Sequence, residues 1–303
     1  MFTIHTADLL CGRCSIEDLP HQSLMELLIV EIPDSSKVYE GDKMTGDDCC
    51  TWKGVFCKDG MVQRISWGFQ FSPASVQINL CYVPASVTEL TMHANYFCGK
   101  LEINALPREL RQLNLSINQF HGSISLVELP PNIMVVSIRK NDLSGSIDLR
   151  VLPPTMQSLS LEHNKLSGTI DLSNLPEGLL VLSLSDNCFG GPINMTKLPS
   201  TLSSMNLSSN KLTGEVKLRS MPIGLDVLSL QSNHLEGEVD LRYLPKDMDG
   251  MIHLSYNRLT GTVRMTRGML MNVWLLGNQI TEVCDENEKP LLSLNIHLTY
   301  SEI

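Results

Sequence analysis

The chain has 303 residues, 43% of them apolar and 18% charged, and its 23 basic and 33 acidic side chains give a formal net charge of −10 at pH 7. This apolar content excludes wholesale disorder. The negative charge argues against binding to nucleic acid or to an anionic membrane, because both attract clustered positive charge. No stretch approaches the ~18 uncharged apolar residues of a membrane span, so we expect no membrane insertion in this chain. Length alone predicts roughly two ordinary domains.

The N-terminal segment, residues 1–19, contains neither a recognisable signal peptide nor a complete metal site. Met1 to Leu10 lack a basic region followed by an apolar core. Cys11-x-x-Cys14 has the spacing of half a zinc site, but no second cysteine or histidine pair follows at ligand spacing. We therefore predict no metal and no cofactor.

Residues 20–59 are predicted to form an N-terminal cap. Pro20–Val30 has the pattern of an amphipathic helix that places Leu24, Leu27 and Leu28 on one face. A cysteine-rich stretch follows the helix. We expect the apolar face of the helix to cover the first unit of the repeat array that begins next.

Residues 60–303 are built from an internal repeat. Asparagine recurs at intervals of 23 residues in six successive steps, and two more asparagines continue the series at steps of 24 and 21. Proline keeps the same period, and a glycine stands four residues after the asparagine in eight units. Three residue types that hold one phase over so many units establish a repeat array. The repeat asparagines are Asn95, Asn118, Asn141, Asn164, Asn187, Asn210, Asn233, Asn257 and Asn278.

Each unit is predicted to contribute two short strands to a stack of coils. Leu159 and Leu161 alternate with polar residues, which is the period of a strand with one buried face. Ile170 and Leu172 alternate again and predict a second strand on the opposite side of the coil. Asn164 ends the first strand, where its amide can bond backbone groups that the turn leaves unpaired. Stacked coils bury these leucines in one continuous core, which a single coil cannot do.

The repeat pattern Leu-x-x-Leu-x-Leu-x-x-Asn-x-Leu-x-Gly-x-Ile resembles the plant-type leucine-rich repeat, which also occurs in protist surface proteins, over about residues 45–300. Asp148, Asp171 and Asp240 stand where the plant repeat usually has proline, which favours kinship with the protist branch. The resemblance implies an α/β-type or mainly β fold, a curved right-handed solenoid of about ten coils. It also implies a parallel concave β-sheet, short second strands on the other side and a helical N-terminal cap.

The stretch from Cys49 to Cys57 resembles the N-terminal cap motif of that family, Cys-Cys-x-Trp-x-Gly-Val-x-Cys. The family motif carries a disulfide, which here implies a bond from Cys57 to Cys50, with Cys49 as the alternative partner. Trp52 is expected to plug the core under the first coil. A disulfide favours an oxidising compartment, whereas the missing signal peptide and the odd number of nine cysteines favour a reducing one. We predict an extracellular or cell-surface location, with the cytoplasm as the alternative.

Three triplets fit the pattern for N-linked glycosylation, Asn114-Leu-Ser, Asn194-Met-Thr and Asn206-Leu-Ser. The pattern gives weak support for secretion in a chain so rich in asparagine, leucine and serine. In addition, Leu-Asn-Leu-Ser is part of the repeat itself.

The sequence predicts a binding protein and no enzyme. It holds no phosphate-binding glycine loop, no nucleophile elbow and no zinc-protease motif. A wide concave sheet is suited to binding, so we predict a non-catalytic recognition module for a protein, peptide or glycan ligand. An intracellular scaffold and an inhibitor of a secreted hydrolase are the alternatives. The sequence predicts no oligomeric state.

One candidate contact patch lies near the C-terminal end of the predicted concave sheet. The exposed residue between the two strand leucines is small and polar in most units, which is a poor composition for a binding hot spot. His253, Tyr256 and Trp274 break this pattern on neighbouring C-terminal coils, and we predict that they contact the ligand. The alternative for Trp274 is that it covers the end of an uncapped stack.

A second candidate lies near the centre, where Arg139, Lys140, Glu162 and His163 fall on adjacent coils. We hypothesise that these residues also contact the ligand. A local ion-pair cluster on a solvated face is the alternative, and exposed pairs stabilise a fold little. Glu162 and His163 have the composition of an acid/base pair, but the repeat implies no pocket around them, so we favour two exposed residues on a sheet.

Overall fold

The structure, a computed structural model, is a parallel β-solenoid of about ten turns. Its residues form two compact units that divide after residue 142, with Ser125–Val127 grouped in the second unit. Both units repeat one coil, in which a strand of a first sheet is followed by a strand of a second sheet. The structure describes residues 16–33, 35–39, 48–71, 75–244, 250–267, 272–291 and 296–297.

The first unit begins with helix α1 (His21–Ile29) and continues with short strands. The strands are β1 (Val55–Lys58), β2 (Met61–Ser66), β3 (Val76–Gln77), β4 (Glu89–Thr91), β5 (Phe97–Lys100), β6 (Gln112–Asn114), β7 (Gln119–Ser123) and β8 (Val135–Ser137). The first sheet has the order β1-β2-β4-β6-β8 and the second sheet has the order β3-β5-β7. The hairpin of β1 and β2 is antiparallel, and the later pairs are parallel.

The second unit begins within β9 and continues the same alternation. Its strands are β9 (Asp142–Ser146), β10 (Ser158–Ser160), β11 (Lys165–Gly168), β12 (Val181–Ser183), β13 (Cys188–Pro192), β14 (Ser204–Asn206), β15 (Lys211–Glu215), β16 (Val227–Ser229), β17 (His234–Asp240), β18 (Met251–His253), β19 (Arg258–Arg264), β20 (Asn272–Trp274), β21 (Gln279–Cys284) and β22 (Ile296–His297). Even-numbered strands form the first sheet and odd-numbered strands the second. Ser158 pairs with Val181 and Val181 with Ser204, so equivalent residues of successive repeats lie side by side.

The repeat leucines form the core, as their periodicity predicts. Leu159 and Leu161 have no exposed surface, and Ile170 and Leu172 are also buried. The apolar residues of each coil, from the strand and from the segments that follow it, therefore meet inside the coil, where removing them from water stabilises the stack.

The second strand of this coil lies earlier than the sequence predicts. The strand expected at Ile170–Leu172 was wrong in position, because β11 spans Lys165–Gly168 and neither of the two apolar residues belongs to a strand. Lys165 pairs with Ser144 of β9, so the hydrogen-bonded ladder forms directly after the repeat asparagine. The alternation at Ile170 and Leu172 therefore reflects the burial of these side chains and not a strand.

The repeat asparagines bond the backbone of neighbouring coils, as predicted. The Nδ2 of Asn187 donates to the carbonyl oxygens of Leu161 and Leu184, at 3.0 and 3.1 Å. Its Oδ1 accepts from the backbone N–H of Leu166 at 3.0 Å. Since Asn187 is buried, this one amide satisfies backbone groups that no water reaches.

The N-terminal cap contains the predicted helix with a slightly different buried face. The helix expected over Pro20–Val30 spans His21–Ile29. Leu24 and Leu28 are buried as expected, together with Met25 and Ile29. Leu27, which was expected on the buried face, is half-buried. The face is therefore centred about one residue away from the predicted leucines, because Met25 and Ile29 fill the inner positions.

The cysteine motif folds against this cap. Cys50 and Cys57 form a disulfide, and Cys49 stays a free buried thiol. Trp52 is buried, as expected of a core plug, and its ring meets that of Tyr39 edge-on at 5.3 Å between centroids. Within the described part of the chain, no helix combines the length and the apolar character that a membrane crossing needs.

Candidate functional site

The residue just before each repeat asparagine, here termed the left-handed position, has a positive φ in both units. Ile117, Lys140, His163, Asp186 and Tyr256 occupy it with φ between 52° and 58°. Such a backbone conformation is uncommon for residues other than glycine, and asparagine, aspartate and histidine adopt it most readily. The turn thus lifts one side chain per coil just beyond the end of a first-sheet strand.

The three residues predicted near the C-terminal end come together; they are termed the C-terminal patch, His253, Tyr256 and Trp274. His253 of β18 and Trp274 of β20 are register partners, and their ring centroids lie 5.9 Å apart. Tyr256 occupies the left-handed position, is 48% exposed and lies against Gly277, where a Cβ would come within 2.7 Å of its ring. Burial lowers the pKa of the His253 imidazole. That this patch binds a ligand stays a prediction.

Trp274 does not lie on the last strand of the first sheet. Strand β22 pairs with β20 beyond it, with Val273 opposite Ile296. This is the position near Leu294 and Ile296 where the repeat predicts one more strand, although Leu294 lies outside the described residues. Because a strand lies on each side of β20, the interpretation that Trp274 covers the end of the stack is weakened.

The central candidate divides between the units. Arg139 and Lys140 are exposed in the first unit, whereas Glu162 is half-buried and His163 exposed in the second. Nε2 of His163 lies 3.7 Å from the carboxylate of Asp186, and both side chains are largely solvated. This contact with Asp186, which the sequence did not predict, favours a local polar pair on a solvated face. A single patch of all four residues stays a prediction.

Sequence reasoning missed an exposed patch at the N-terminal end of the first unit, termed the N-terminal patch, Phe69, His93, Tyr96 and Ile117. Phe69 is 75% exposed, Tyr96 49% and Ile117 37%. All three have a positive φ. The ring of Phe69 meets the imidazole of His93 edge-on at 5.0 Å. A Cβ at Gly68 would lie 2.1 Å from that imidazole, so only glycine allows His93 to occupy this place.

Burial in the core does not explain why these side chains are present. A β-branched residue with a positive φ, such as Ile117, is a conformational outlier, and its exposed side chain gains little from burial. In the second unit the left-handed position holds mostly polar residues, including Asp186 and Ser209. The coil imposes the positive φ at this position, so the unusual feature is a β-branched residue placed there, and strain of this kind points to function. The sequence shows this signal as an apolar residue three positions after the exposed strand residue of a coil, such as Ser66 or Asn114.

Metal ligation finds no support in the described residues. Asp48, Cys49 and Cys50 offer ligand atoms within 4.8 Å of one another, but Cys50 is held in the disulfide. Burial, and then the charge of Asp48, raises the pKa of the Cys49 thiol to about 11, so it offers no thiolate near neutral pH. The pair Cys11 and Cys14 lies outside the described residues.

No protein-family model and no curated protein matches the chain. Solved structures do match. A plant ice-binding protein shares 17% identical residues at a TM-score of 0.66, covering 96% of this chain and 100% of that one. The leucine-rich repeat ectodomain of the Arabidopsis receptor kinase HAESA, in complex with an N-terminally extended IDA peptide hormone, shares 21% at a TM-score of 0.54, covering 92% of this chain and 53% of that one. The PEPR1–AtPEP1 structure shares 19% at a TM-score of 0.56, covering 88% and 48%.

The chain thus spans the whole ice-binding protein but only about half the length of the receptor ectodomains. At these identities the likeness concerns the fold. The chain has the fold of a leucine-rich repeat solenoid, like these plant proteins.

Proposed function

We propose that the chain is a non-catalytic recognition module that binds a peptide or an extended protein segment along its first sheet. Exposed aromatic side chains in strained backbone positions carry this proposal. Phe69 and Tyr96 in the first unit, and Tyr256 in the second, are exposed and have a positive φ. Aromatic residues dominate the few contacts that supply most binding energy.

A peptide is favoured over other ligands because small side chains leave the strand backbone of the first sheet open. Ser160 and Ser183 are small, so an extended segment can lie along the sheet at these strands. The HAESA ectodomain, which has the same fold, is described in complex with the IDA peptide hormone. The Cys50–Cys57 disulfide supports an extracellular or cell-surface location, because disulfides persist in oxidising compartments. The scaffold and hydrolase-inhibitor alternatives stay predictions.

The test is a selection of random peptides displayed on phage against the whole immobilised chain. The Kd of each enriched peptide is then measured for the parent and for Phe69→Ala, Tyr256→Ala, Trp274→Ala and Arg139→Ala. We expect at least one aromatic variant to bind about 10-fold or more weakly, as loss of a hot-spot residue does.

The matched control is Tyr243→Ala. Tyr243 is 47% exposed, almost the same as Tyr256, but it follows strand β17 of the second sheet and stacks against Arg219. Its substitution should leave the Kd unchanged. Equal affinity of all variants, or no enriched peptide, would overturn the proposal.

An ordered column of small polar side chains favours a second function, adsorption to ice. Ser160, Ser183 and Asn206 are equivalent residues of neighbouring parallel strands, which lie ~4.8 Å apart. An ice surface is also a regular array of hydrogen-bonding groups, and the plant ice-binding protein has the same fold over its full length. Thermal hysteresis that Ser183→Tyr abolishes would support this function, and no thermal hysteresis in the parent would exclude it.

A further inference from the structure

We propose that Asn194 carries an N-linked glycan, and that it is the one of the three glycosylation triplets that the folded chain presents for this modification. The proposal rests on the extracellular location given above. Asn194 and Thr196 are both exposed, in the loop directly after β13, outside both sheets.

The repeat explains why the amide group of Asn194 is available. Oδ1 of Asn194 accepts from the backbone N–H of Thr196 at 3.1 Å and from its hydroxyl at 2.7 Å. The equivalent residue 23 positions earlier, Asp171, makes the same turn with its carboxylate, accepting from the backbone N–H of Ser173 at 2.9 Å. Asp148 and Asp240 do so as well, at 2.9 and 3.1 Å.

This turn accepts one side-chain oxygen, which Asp171 supplies in the preceding coil. In this coil asparagine stands in its place, and its Nδ2 has no hydrogen-bond partner among the described residues. Asn194 thus combines a hydrogen-bonded turn with a carboxamide nitrogen that the fold does not use. Asn206 makes the same turn with Ser208, so its place in an exposed loop is what distinguishes Asn194.

The other two triplets lie within the first sheet. Asn114 ends β6 and Asn206 ends β14, each with a parallel strand on both sides. Both asparagines are half-buried, and the third residues of their triplets, Ser116 and Ser208, are buried. A bulky glycan fits an exposed loop and would displace the packed neighbours of these strands.

The surroundings of Asn194 have room for a sugar. An open groove of about 440 Å³ lies beside it and is lined by Pro192, Thr196, Glu215 and Lys217 among others. Glu215 and Lys217 form an exposed ion pair at 3.6 Å. These charged groups can hydrogen-bond sugar hydroxyls in the groove.

The modification is a group transfer from an oligosaccharide linked to a lipid pyrophosphate. A bond forms between Nδ2 of Asn194 and the anomeric carbon of the first sugar. The bond from that carbon to the pyrophosphate oxygen breaks, and the lipid pyrophosphate leaves with the electron pair. One amide proton passes to solvent, so no oxidant or reductant is needed.

The test expresses the whole chain, preceded by a secretion signal, in eukaryotic cells that perform N-linked glycosylation. Enzymatic removal of glycans in ¹⁸O-labelled water converts each occupied asparagine to a labelled aspartate, which peptide mass spectrometry detects. We expect the label at Asn194 and not at Asn114 or Asn206. An unlabelled Asn194 in the secreted protein, or labelling of Asn114 or Asn206 alone, would overturn the proposal.

Asn194→Asp is the informative variant, because Asp171 already makes this turn in the preceding coil. It should lose the glycan and keep the Tm of the unglycosylated parent, produced in cells that perform no N-linked glycosylation. The same samples separate this proposal from the proposed function. A chain that binds selected peptides but is unglycosylated overturns the glycan alone, and a glycosylated chain that selects no peptide overturns peptide recognition alone.

Discussion

At the scale of single residues, His253 is expected to make the stability of the fold depend on pH. Burial lowers the pKa of its imidazole below the ordinary value of 6.5. The unfolded chain therefore binds a proton at this residue more readily than the folded chain does, and the free energy of unfolding falls as the pH drops below about 6.5. Above that pH the His253 imidazole is neutral in both the folded and the unfolded chain, so it no longer makes the stability depend on pH.

His253→Gln removes this proton linkage. The parent should lose more Tm between about pH 7.5 and about pH 5.5 than the variant does. His234→Gln, an exposed histidine at the start of β17, is the matched control and should behave like the parent. If His253→Gln and the parent show the same change in Tm, burial of the imidazole does not control this linkage.

At the scale of the structural element, the repeat asparagine should matter more than any exposed polar residue. Asn187→Ala removes the bonds to Leu161, Leu184 and Leu166. The two carbonyl oxygens keep their bonds from the preceding and following repeat asparagines, whereas the buried N–H of Leu166 loses its acceptor. We expect a loss of about 3 kcal/mol in the free energy of unfolding, measured by urea denaturation.

Asn174→Ala is the control for this prediction. Asn174 is exposed, and its Nδ2 donates to the carbonyl oxygen of Arg150 at 3.0 Å. Since that carbonyl can bond water instead, we expect a loss below about 1 kcal/mol. Equal losses for the two variants would contradict the role of the asparagine in holding coils together.

The sequence predicts elements where side-chain burial and hydrogen bonding follow the same pattern. Leu159 and Leu161 alternate with polar residues, and strand β10 contains the first of them, at Ser158–Ser160. Ile170 and Leu172 alternate with polar residues as well, yet they belong to no strand, and the ladder forms at Lys165–Gly168. The spacing of apolar residues shows which side chains face the core. The hydrogen-bonded ladder depends instead on the carbonyl and N–H groups of the next coil.

The candidate site was predictable only in part for a related reason. Aromatic type and repeat register were enough to find His253 and Trp274. The N-terminal patch depends on backbone strain, since Phe69 and Ile117 become unusual once their φ of 53° and 57° is known. Sequence alone shows an apolar residue in a loop, and such residues are common on protein surfaces.

At the scale of the whole molecule, the repeat decides more than the length does. Length predicts two ordinary domains, and the contacts do divide the chain into two compact units. Both units nevertheless consist of the same coil, so the division does not separate two kinds of fold. The boundary between cap and solenoid near residue 60 stays a prediction. Equivalent positions of different coils also share a role. Asp148, Asp171 and Asp240, for example, each accept a backbone hydrogen bond in the same turn.

Amide hydrogen exchange of the whole chain, with and without a saturating amount of a selected peptide, shows whether the first sheet is the recognition surface. We expect added protection in first-sheet segments at Glu89–Tyr96, at Met251–Tyr256 or at both. Second-sheet strands such as Lys165–Gly168 and Lys211–Glu215 should gain no protection. Protection confined to those second-sheet strands would mean that the first sheet does not bind the peptide.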